Sequence, residues 1–333
     1  NNLIVILNVE SFNERVALAA QAPVVQLNDG NKMPVLALGT GRGTAPPSAS
    51  VDEVRQAVFW AIEAGYRHID TAAVYHDEEQ VGQGIAEAID KGLVTREDLF
   101  VTTKLGNSDH RQEKVVPALR KSLKELGLAY VDLYLIHFPS AVRDDDSDDD
   151  TSEDIDFVET WRGMMEAKKL GLARSIGVSN FNSSQVDRLM CMEIPPAVNE
   201  IEVNPTMTQE PLVRHCHNLG VRVMAYSPLG FVVSRGNSKT PPPQADDPVL
   251  VALAKKYNKS VPQIVLRYLV DRNLIPIPKS TNKDRIVANI DIFDFSLTED
   301  EINTMNAFNK NIRVIDFHGW EGYPYFPFNH LEE

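Results

Sequence analysis

The sequence predicts an α/β protein, and more specifically a (β/α)8 barrel, or TIM barrel, with an N-terminal β-hairpin and a long C-terminal loop. Eight short β-branched runs recur along the 333 residues, and segments with helical periodicity separate them. Strand–helix alternation implies parallel strands, and eight such units in one chain indicate a closed barrel. A doubly wound open sheet is the alternative, although no G-x-G-x-x-G fingerprint follows the early strands.

The first predicted element is a β-hairpin. In "VVQLNDGNKMPVL", the residues Asn28, Asp29 and Gly30 suit the positive φ angles of a tight turn. We expect residues 1–23 to be an extension and residues 24–333 to form a single barrel domain. The stretch "NNLIVIL" is shorter than the apolar region of a secretory signal, whereas "VALAAQAP" is similar to the end of one. We therefore expect a cytoplasmic protein, with secretion as the alternative.

The barrel strands are assigned to eight runs rich in β-branched residues. These runs are residues 35–38, 68–70, 100–104, 131–137, 175–178, 197–203, 221–227 and 275–279. Between them, apolar residues recur at spacings of three and four, as in "VDEVRQAVFWAIEAG" and "KVVPALRKSLKELGL". Near the end, "SLTEDEI" predicts a capping box from Thr298 to Glu301 for one more helix. We expect the aromatic tail "FHGWEGYPYFPFNHLEE" to be a packed arm that covers one mouth of the barrel.

The composition argues against several classes of partner. A formal net charge of −14 repels nucleic acid and anionic membranes, and no stretch approaches the ~20 apolar residues of a membrane span. No metal site is predicted, because Cys191 and Cys216 lack ligand spacing and "DDDSDDD", residues 144–150, fails as a calcium loop. We interpret that run as a solvated acidic loop. A small-molecule substrate and a monomeric chain are expected.

Polar or titratable residues stand at every predicted strand end. In a (β/α)8 barrel the chemistry collects at these carboxyl ends, because the loops that follow them surround one mouth. In chain order the residues are Thr40, Asp70 with Tyr75, Lys104, His137, Ser179 with Asn180, Glu200, Tyr226 with Ser227, and Lys279 with Ser280. A single lysine there is usually a solvated surface residue, and a single histidine a core residue. Together they indicate a catalytic site.

Asp70, Tyr75, Lys104 and His137 form a chemically coherent set. Tyrosine titrates near pH ~10, and a cation within ~4–6 Å favours phenolate and lowers that pKa by ~1–3 units. Lys104 could supply this charge, and Asp70 would keep the ammonium protonated in a desolvated barrel mouth. His137 would donate a hydrogen bond to a substrate oxygen and orient it toward Tyr75, the expected general acid.

A basic cluster follows the last predicted strand, in "IPIPKSTNKDRIVAN". Lys279, Ser280 and Arg285 place two cations and a hydroxyl around what could be a phosphate, in a chain that is otherwise acidic. The alternative is a solvated basic helix start. Because a proton donor needs a partner that delivers electrons, the cluster suggests a phosphate-bearing redox cofactor.

Six stretches, in the right order, resemble signatures of the aldo-keto reductase superfamily of NADPH-dependent (β/α)8 carbonyl reductases. They are "GYRHIDTAAVY", "LFVTTKL", "DLYLIHFP", "SIGVSNF", "AYSPLG" and "IPIPKSTNKDRI", and the resemblance covers roughly residues 24–328. It implies that Asp70, Tyr75, Lys104 and His137 are the catalytic residues, with Tyr75 as general acid. It also implies NADPH rather than NADH as the cofactor, because two cations would bind a 2′-phosphate.

The resemblance further implies which residues contact the cofactor. The implied contacts are Thr40, Asp70, Ser179, Asn180, Glu200, Tyr226, Ser227, Leu229, Lys279, Ser280, Arg285 and Asn289. Ser179 and Asn180 would hold the nicotinamide carboxamide, and Tyr226 would stack on the ring. Ser227 and Leu229 would line the pyrophosphate. The 2′-phosphate would lie on the basic cluster, with Asn289 near the adenine.

The chain departs from the family pattern at several positions. Glu200 stands where the family usually has glutamine, which would add a negative charge near the nicotinamide. Gly41 and Gly106 stand where tight-pocket members carry tryptophan, with Phe138 after the catalytic histidine. The resulting broad mouth favours a bulky ketone. The acidic run and "NEIEVNPTMTQEP" are similar to insect reductases that act on 3-dehydroecdysone, a steroid ketone.

Three hypotheses follow for the activity. The first is NADPH-dependent reduction of a ketone or aldehyde, with a bulky steroid-like substrate such as 3-dehydroecdysone. The second is an NADPH-binding accessory or sensor protein on the same fold, with little turnover. The third is a Schiff-base lyase with Lys104 as nucleophile, against which a demand for NADPH would count.

Overall fold

The computed structural model describes residues 22–41, 52–143, 151–233, 241–315 and 317–328. Its central sheet consists of eight parallel strands whose spatial order follows the chain. The predicted hairpin is present ahead of this sheet, where β1 (Val24–Gln26) pairs antiparallel with β2 (Lys32–Pro34). Gly30 has a φ of 89°, as the turn requires.

The barrel strands agree with the eight predicted runs to within three residues at every end. They are β3 (Leu38–Gly39), β4 (His68–Asp70), β5 (Phe100–Leu105), β6 (Val131–Ile136), β9 (Ala173–Ser179), β10 (Val198–Glu202), β11 (Arg222–Tyr226) and β12 (Ile275–Pro276). A short antiparallel pair, β7 (Ala141–Val142) with β8 (Ser152–Glu153), lies in the connection after β6. The predicted (β/α)8 fold is confirmed.

The sheet closes on itself between its first and last strands. A parallel bridge joins Gly39 to Lys279, and the amide of Gly39 donates to the carbonyl of Pro278 at 3.1 Å. The last strand is shorter than predicted, because Pro276 and Pro278 have no N–H to donate to a neighbour. The first strand begins later than predicted, because the amide of Val35 donates to Pro23 and so extends the hairpin.

Ten α-helices of the described segments surround the sheet. They are α1 (Glu53–Glu63), α2 (Glu78–Asp90), α3 (Gln112–Leu126), α4 (Phe157–Lys169), α5 (Ser183–Met190), α6 (Glu210–Asn218), α7 (Pro248–Tyr257), α8 (Val261–Asp271), α9 (Lys283–Ile290) and α10 (Glu299–Asn306). The two helical patterns quoted from the sequence form α1 and α3. The predicted capping box between Thr298 and Glu301 begins α10.

Apolar side chains fill the barrel at the end that the hairpin covers. Leu27 and Met33 of the hairpin pack there with Phe100, Leu133 and Met224 from the strands. A larger apolar cluster lies between the outer face of the sheet and the helices. The amino-terminal end of the barrel is therefore closed by packing, and polar side chains collect at the opposite mouth.

Residues 317–328 of the C-terminal tail form a packed arm, as the sequence predicted, and this described part contains a 3-10 turn at His318–Trp320. Phe138, which follows β6, has its ring centroid 5.0 Å from those of Phe317 and Trp320. Phe138 also lies against Phe326 and Phe328. The arm therefore packs over the mouth at which β6 ends.

Several expectations fall outside what the structure tests. The acidic run 144–150 and nearly all of the extension 1–23 lie outside the described residues. Within the described segments, no helix is long and apolar enough to cross a membrane, and no group of histidine, cysteine and acidic side chains has the geometry to hold a metal ion. The domain division, the monomeric state and the compartment stay predictions.

Candidate active site

The four titratable residues meet at the carboxyl end of the barrel. Asp70 is the last residue of β4, and Tyr75 ends the 3-10 turn Ala73–Tyr75 that directly follows it. Lys104 lies near the end of β5, and His137 follows the last residue of β6. Because β4, β5 and β6 are neighbours in one parallel sheet, their carboxyl ends bring these side chains together.

Lys104 is the fully buried centre of the site. Its Nζ donates to Oδ1 of Asp70 at 2.6 Å and to the carbonyl of Thr71 at 3.1 Å. Oε1 of Glu200 lies 3.3 Å from the same nitrogen. Burial by itself disfavours the ammonium, but the two acidic groups outweigh it and raise the pKa of Lys104 above its usual value. The predicted pairing of Lys104 with Asp70 is present.

Tyr75 lies beside this cation and is half-buried. The Nζ of Lys104 is 5.3 Å from the centroid of its ring. Burial raises the pKa of Tyr75 well above its usual range, although the charge of Lys104 acts to lower it. The expectation of a lowered pKa is therefore wrong for the protein as it stands, because desolvation of the phenol outweighs the ammonium.

His137 packs edge-on against Tyr75, with 5.5 Å between the ring centroids. Burial lowers the pKa of His137 to about 3, and the nearby ammonium of Lys104 adds to this effect. The imidazole is therefore neutral at physiological pH. A neutral imidazole can donate one N–H to an oxygen atom placed between it and Tyr75.

Ser179, Asn180 and Tyr226 form a hydrogen-bonded row along the next strand ends. The side-chain Nδ2 of Asn180 donates to the backbone carbonyl of His137 at 3.0 Å, and the hydroxyl of Tyr226 donates to Oδ1 of Asn180 at 2.7 Å. The hydroxyl of Ser179 donates to the carbonyl of Glu200 at 2.8 Å. Asn180 and Ser227 both have positive φ, at 65° and 47°, so the chain turns sharply after β9 and β11.

The basic cluster lies at the other end of this row, where α9 begins. Lys279 and Arg285 are exposed, and within the described part of the chain neither forms an ion pair with a carboxylate. Ser280 and Asn289 are buried. Asn282 caps α9 by accepting from the amide of Arg285. Two unpaired cations beside a helix N-terminus suit an anion such as phosphate.

Thr40 and Leu229, two further predicted cofactor contacts, differ in how deeply they are buried. Thr40 is buried, and its hydroxyl donates to Oδ1 of Asp77 at 3.3 Å rather than facing an open cleft. Leu229 is half-buried in the turn after β11. Of the three residues assigned to the substrate pocket, Phe138 is covered by the C-terminal arm.

Sequence reasoning missed Glu202, which fixes the C-terminal arm to the barrel. Its carboxylate is fully buried and accepts hydrogen bonds from the backbone amides of Val314 and Ile315. Glu202 lies two residues after Glu200 on β10, so both side chains point to the same face of the strand. That spacing indicates that the Glu202 side chain points into the barrel. It does not indicate the partners of Glu202, which are 112 and 113 residues away in the chain.

A (β/α)8 barrel with a tyrosine, a lysine, an aspartate and a histidine at one mouth defines an oxidoreductase of the aldo-keto class. Residues 35–310 match the Aldo/keto reductase family, and the chain belongs to that family. The predicted family, fold and enzyme class are therefore confirmed.

The chain is similar to relatives over nearly its whole length. Aldo-keto reductase AKR2E4 of Bombyx mori is 68% identical over 311 residues, which cover 93% of this chain and 100% of the relative. Aldo-keto reductase family 1 member A1 of Homo sapiens is 40% identical over 326 residues, which cover 92% of this chain and 98% of the relative.

Solved structures give the same result. The crystal structure of Bombyx mori AKR2E4 in complex with NADP superposes with a TM-score of 0.90 at 67% identity, covering 93% of this chain and 100% of that one. The structure of AKR2E5 complexed with NADPH superposes with a TM-score of 0.89 at 41% identity, covering 94% and 96% of the two chains.

Proposed function

We propose that the protein reduces a ketone or aldehyde to an alcohol with NADPH, and that Tyr75 is the proton donor. One observation carries the proposal. The buried ammonium of Lys104 lies 2.6 Å from the carboxylate of Asp70 and 5.3 Å from the ring centroid of Tyr75. A protonated lysine held against a phenol suits a tyrosine that must become a phenolate during the reaction.

The residues divide the proton chemistry among them. Bound NADPH would supply the hydride. Tyr75 donates its phenolic proton to the substrate oxygen as that oxygen gains charge, which a tyrosine with a raised pKa can do because it is fully protonated. Lys104 stabilises the phenolate that results, since an ammonium acts strongly on an oxyanion in a low-dielectric site. Neutral His137 donates its N–H to the same substrate oxygen.

The residues present fit the cofactor. Lys279 and Arg285 are free of carboxylate partners within the described chain, so they are available to the 2′-phosphate. The half-buried ring of Tyr226 lies in the same row as Ser179 and Asn180, where the nicotinamide would stack and its carboxamide would bind. The prediction of NADPH as the cofactor is confirmed by the related structures, which hold NADP or NADPH.

A bulky steroid-like ketone such as 3-dehydroecdysone is the proposed substrate. Support comes from the similarity of the acidic run and of "NEIEVNPTMTQEP" to insect reductases of that class. Gly106 adds limited support, because an added Cβ would fit there at ordinary contact distance, 3.5 Å from its nearest atom. Gly41 adds none, because the ring of Tyr75 fills the space next to it.

Replacing Tyr75 tests the mechanism. Tyr75→Phe keeps the ring but removes the transferable proton, so we expect kcat to fall by about 10²–10⁴-fold while NADPH binding, measured by fluorescence titration, changes little. Tyr130→Phe is the matched control, since Tyr130 stacks between Arg96 and Arg174 at the amino-terminal end of β6, away from the site. Full activity in Tyr75→Phe would remove Tyr75 as the proton donor.

A substrate panel tests the activity itself. NADPH consumption is followed with 3-dehydroecdysone beside small aliphatic and aromatic aldehydes. We expect kcat/KM to be highest for the steroid ketone. A higher value for the small aldehydes would contradict the substrate class but not the reductase function. Tight NADPH binding without turnover of any carbonyl compound would instead favour the accessory or sensor protein.

A further inference from the structure

Glu200 is a second acid in the buried centre of the site. It lies on β10, is 2% exposed, and places Oε1 3.3 Å from Nζ of Lys104. Asp70 is equally buried and lies 2.6 Å from the same nitrogen. One buried ammonium therefore faces two buried carboxyl groups. If both were ionised, the cluster would carry a net negative charge with no solvent to screen it, which is costly.

The two carboxyl groups lie against the same ammonium. An ionised carboxylate only accepts hydrogen bonds, so neither group can donate a hydrogen bond unless it holds a proton. Oδ2 of Asp70 and Oε2 of Glu200 receive no hydrogen bond from any N–H or O–H group in the described segments. A proton on one of the two groups would supply a donor that the site lacks.

Of the two groups, Glu200 is the one that the geometry favours to hold a proton. The ammonium of Lys104 is nearer to Asp70, and a close cation favours the ionised form of its partner. Burial raises the pKa of both carboxyl groups and raises that of Glu200 well above its usual value. Glu200 also lies close enough to the phenols of Tyr75 and Tyr226 for its charge to affect them. Neither phenol is a cation that could stabilise an ionised Glu200.

Lys104 connects Glu200 to the proton donor. The ammonium lies 3.3 Å from Oε1 of Glu200 and 5.3 Å from the centroid of the Tyr75 ring. Glu200, Lys104 and Tyr75 thus form a row in which the ammonium lies between the acid and the phenol. Glutamine, the residue that the family usually has in place of Glu200, has N–H donors but could not give up a proton.

Building on the reductase function proposed above, we propose that Glu200 is the proton store of the site. It is a neutral carboxylic acid before the reaction, and it resupplies Tyr75 through Lys104 after Tyr75 has protonated the substrate. An N–H bond of Lys104 breaks first, as the O–H bond of Tyr75 forms, and leaves a neutral amine with a free electron pair. The O–H bond of Glu200 then breaks as a new N–H bond forms at Lys104. Lys104 is an ammonium again, Glu200 becomes a carboxylate, and no atom changes its oxidation state. Solvent returns the proton to Glu200 after the product leaves.

Infrared difference spectroscopy tests the resting state without any substrate. The spectrum of wild type minus Glu200→Gln should contain the C=O stretch of one protonated carboxylic acid at neutral pH. Glu202→Gln is the matched control, because Glu202 is buried on the same face of β10 but accepts its hydrogen bonds from amide donors. Loss of the band in Glu202→Gln but not in Glu200→Gln would overturn the assignment. A titration of the wild-type band decides the matter if the variant does not fold, because absence of the band at neutral pH excludes a protonated Glu200.

A single-turnover measurement tests the proton transfer. NADPH-loaded enzyme is mixed with the carbonyl compound reduced fastest in the panel, in weak buffer with a pH indicator. In the wild type, proton uptake from solvent should lag behind NADPH oxidation, whereas in Glu200→Gln the two should coincide. Coincident traces in both proteins would overturn the proton store. If no carbonyl compound is reduced, the reductase function fails instead, and the infrared band still reports on Glu200 alone.

Discussion

Gly41 is in contact with the face of the Tyr75 ring. A Cβ built at residue 41 would lie 2.8 Å from Cζ of Tyr75, whereas packed carbon atoms are separated by about 3.5–4.0 Å. A Cβ at Gly106 would meet Oδ2 of Asp109 at 3.5 Å, which is an ordinary contact. The two glycines therefore differ in role, since Gly41 determines where the phenol lies, whereas Gly106 would accept a Cβ without strain.

Alanine at these two positions should separate the roles. We expect Gly41→Ala to displace the Tyr75 ring and lower kcat by roughly tenfold, equivalent to about 1.4 kcal/mol of transition-state stabilisation. Gly106→Ala should cause a several-fold smaller loss. The measurement is kcat for one carbonyl substrate at saturating NADPH in both variants. Equal losses would show that the contact between Gly41 and Tyr75 does not position the proton donor.

For single residues, the sequence predicts which side chains form the site better than it predicts their pKa values. Asp70, Tyr75, Lys104 and His137 could be selected because they stand at strand ends, and the structure brings them together. The direction of the Tyr75 pKa could not be predicted, because it depends on how far burial desolvates the phenol and on its distance from the charges of Lys104 and Asp70. Neither quantity is written in the local sequence.

Among the elements, α3 and α4 are joined through a buried histidine. His110 lies two residues before α3, and its carbonyl accepts a hydrogen bond from Oγ1 of Thr160 in α4 at 2.8 Å. Burial lowers the pKa of His110 to about 4. Its usual pKa is 6.5, so between pH 6.5 and about 4 the unfolded chain binds a proton that the folded protein excludes.

His110 should therefore make the protein less stable as the pH falls. The contribution to the free energy of unfolding is fully present above pH 6.5 and declines by about 1.4 kcal/mol per pH unit toward pH 4. His110→Leu has no side chain that can bind this proton. The free energy of unfolding of His110→Leu, relative to that of the wild type, should therefore rise as the pH falls from 6.5 toward 4. Urea denaturation at a series of pH values measures the difference, with exposed His76→Asn as the control. A difference that does not change with pH would contradict a buried neutral His110.

Element bounds were predictable where local pattern and hydrogen bonding agree. The runs before Asp70 and Lys104 form strands as predicted, because their amides and carbonyls pair with strands on both sides. The first and last barrel strands were overestimated. There, prolines remove donors from β12, and the hairpin takes the amide of Val35 that β3 would otherwise use. Such competition between segments far apart in sequence has no local signal.

For the whole molecule, the barrel mouth is shaped by segments that lie far apart along the chain. Phe138 follows β6 and packs against Phe317 and Trp320 of the C-terminal arm. Glu202 of β10 binds the amides of Val314 and Ile315 just before that arm. The sequence indicated an aromatic arm over one mouth, but it could not indicate which strand ends the arm would contact.

In the proposed reaction, bound NADPH would supply a hydride to the carbonyl carbon while Tyr75 protonates the oxygen. The most direct measurement uses NADPH carrying deuterium at the reacting C4 position, with mass spectrometry of the alcohol formed from the best carbonyl substrate. We expect one deuterium on the carbinol carbon with wild type and Tyr130→Phe, and almost no labelled alcohol with Tyr75→Phe. An unlabelled alcohol from the wild type, or a fully labelled yield from Tyr75→Phe, would contradict the account.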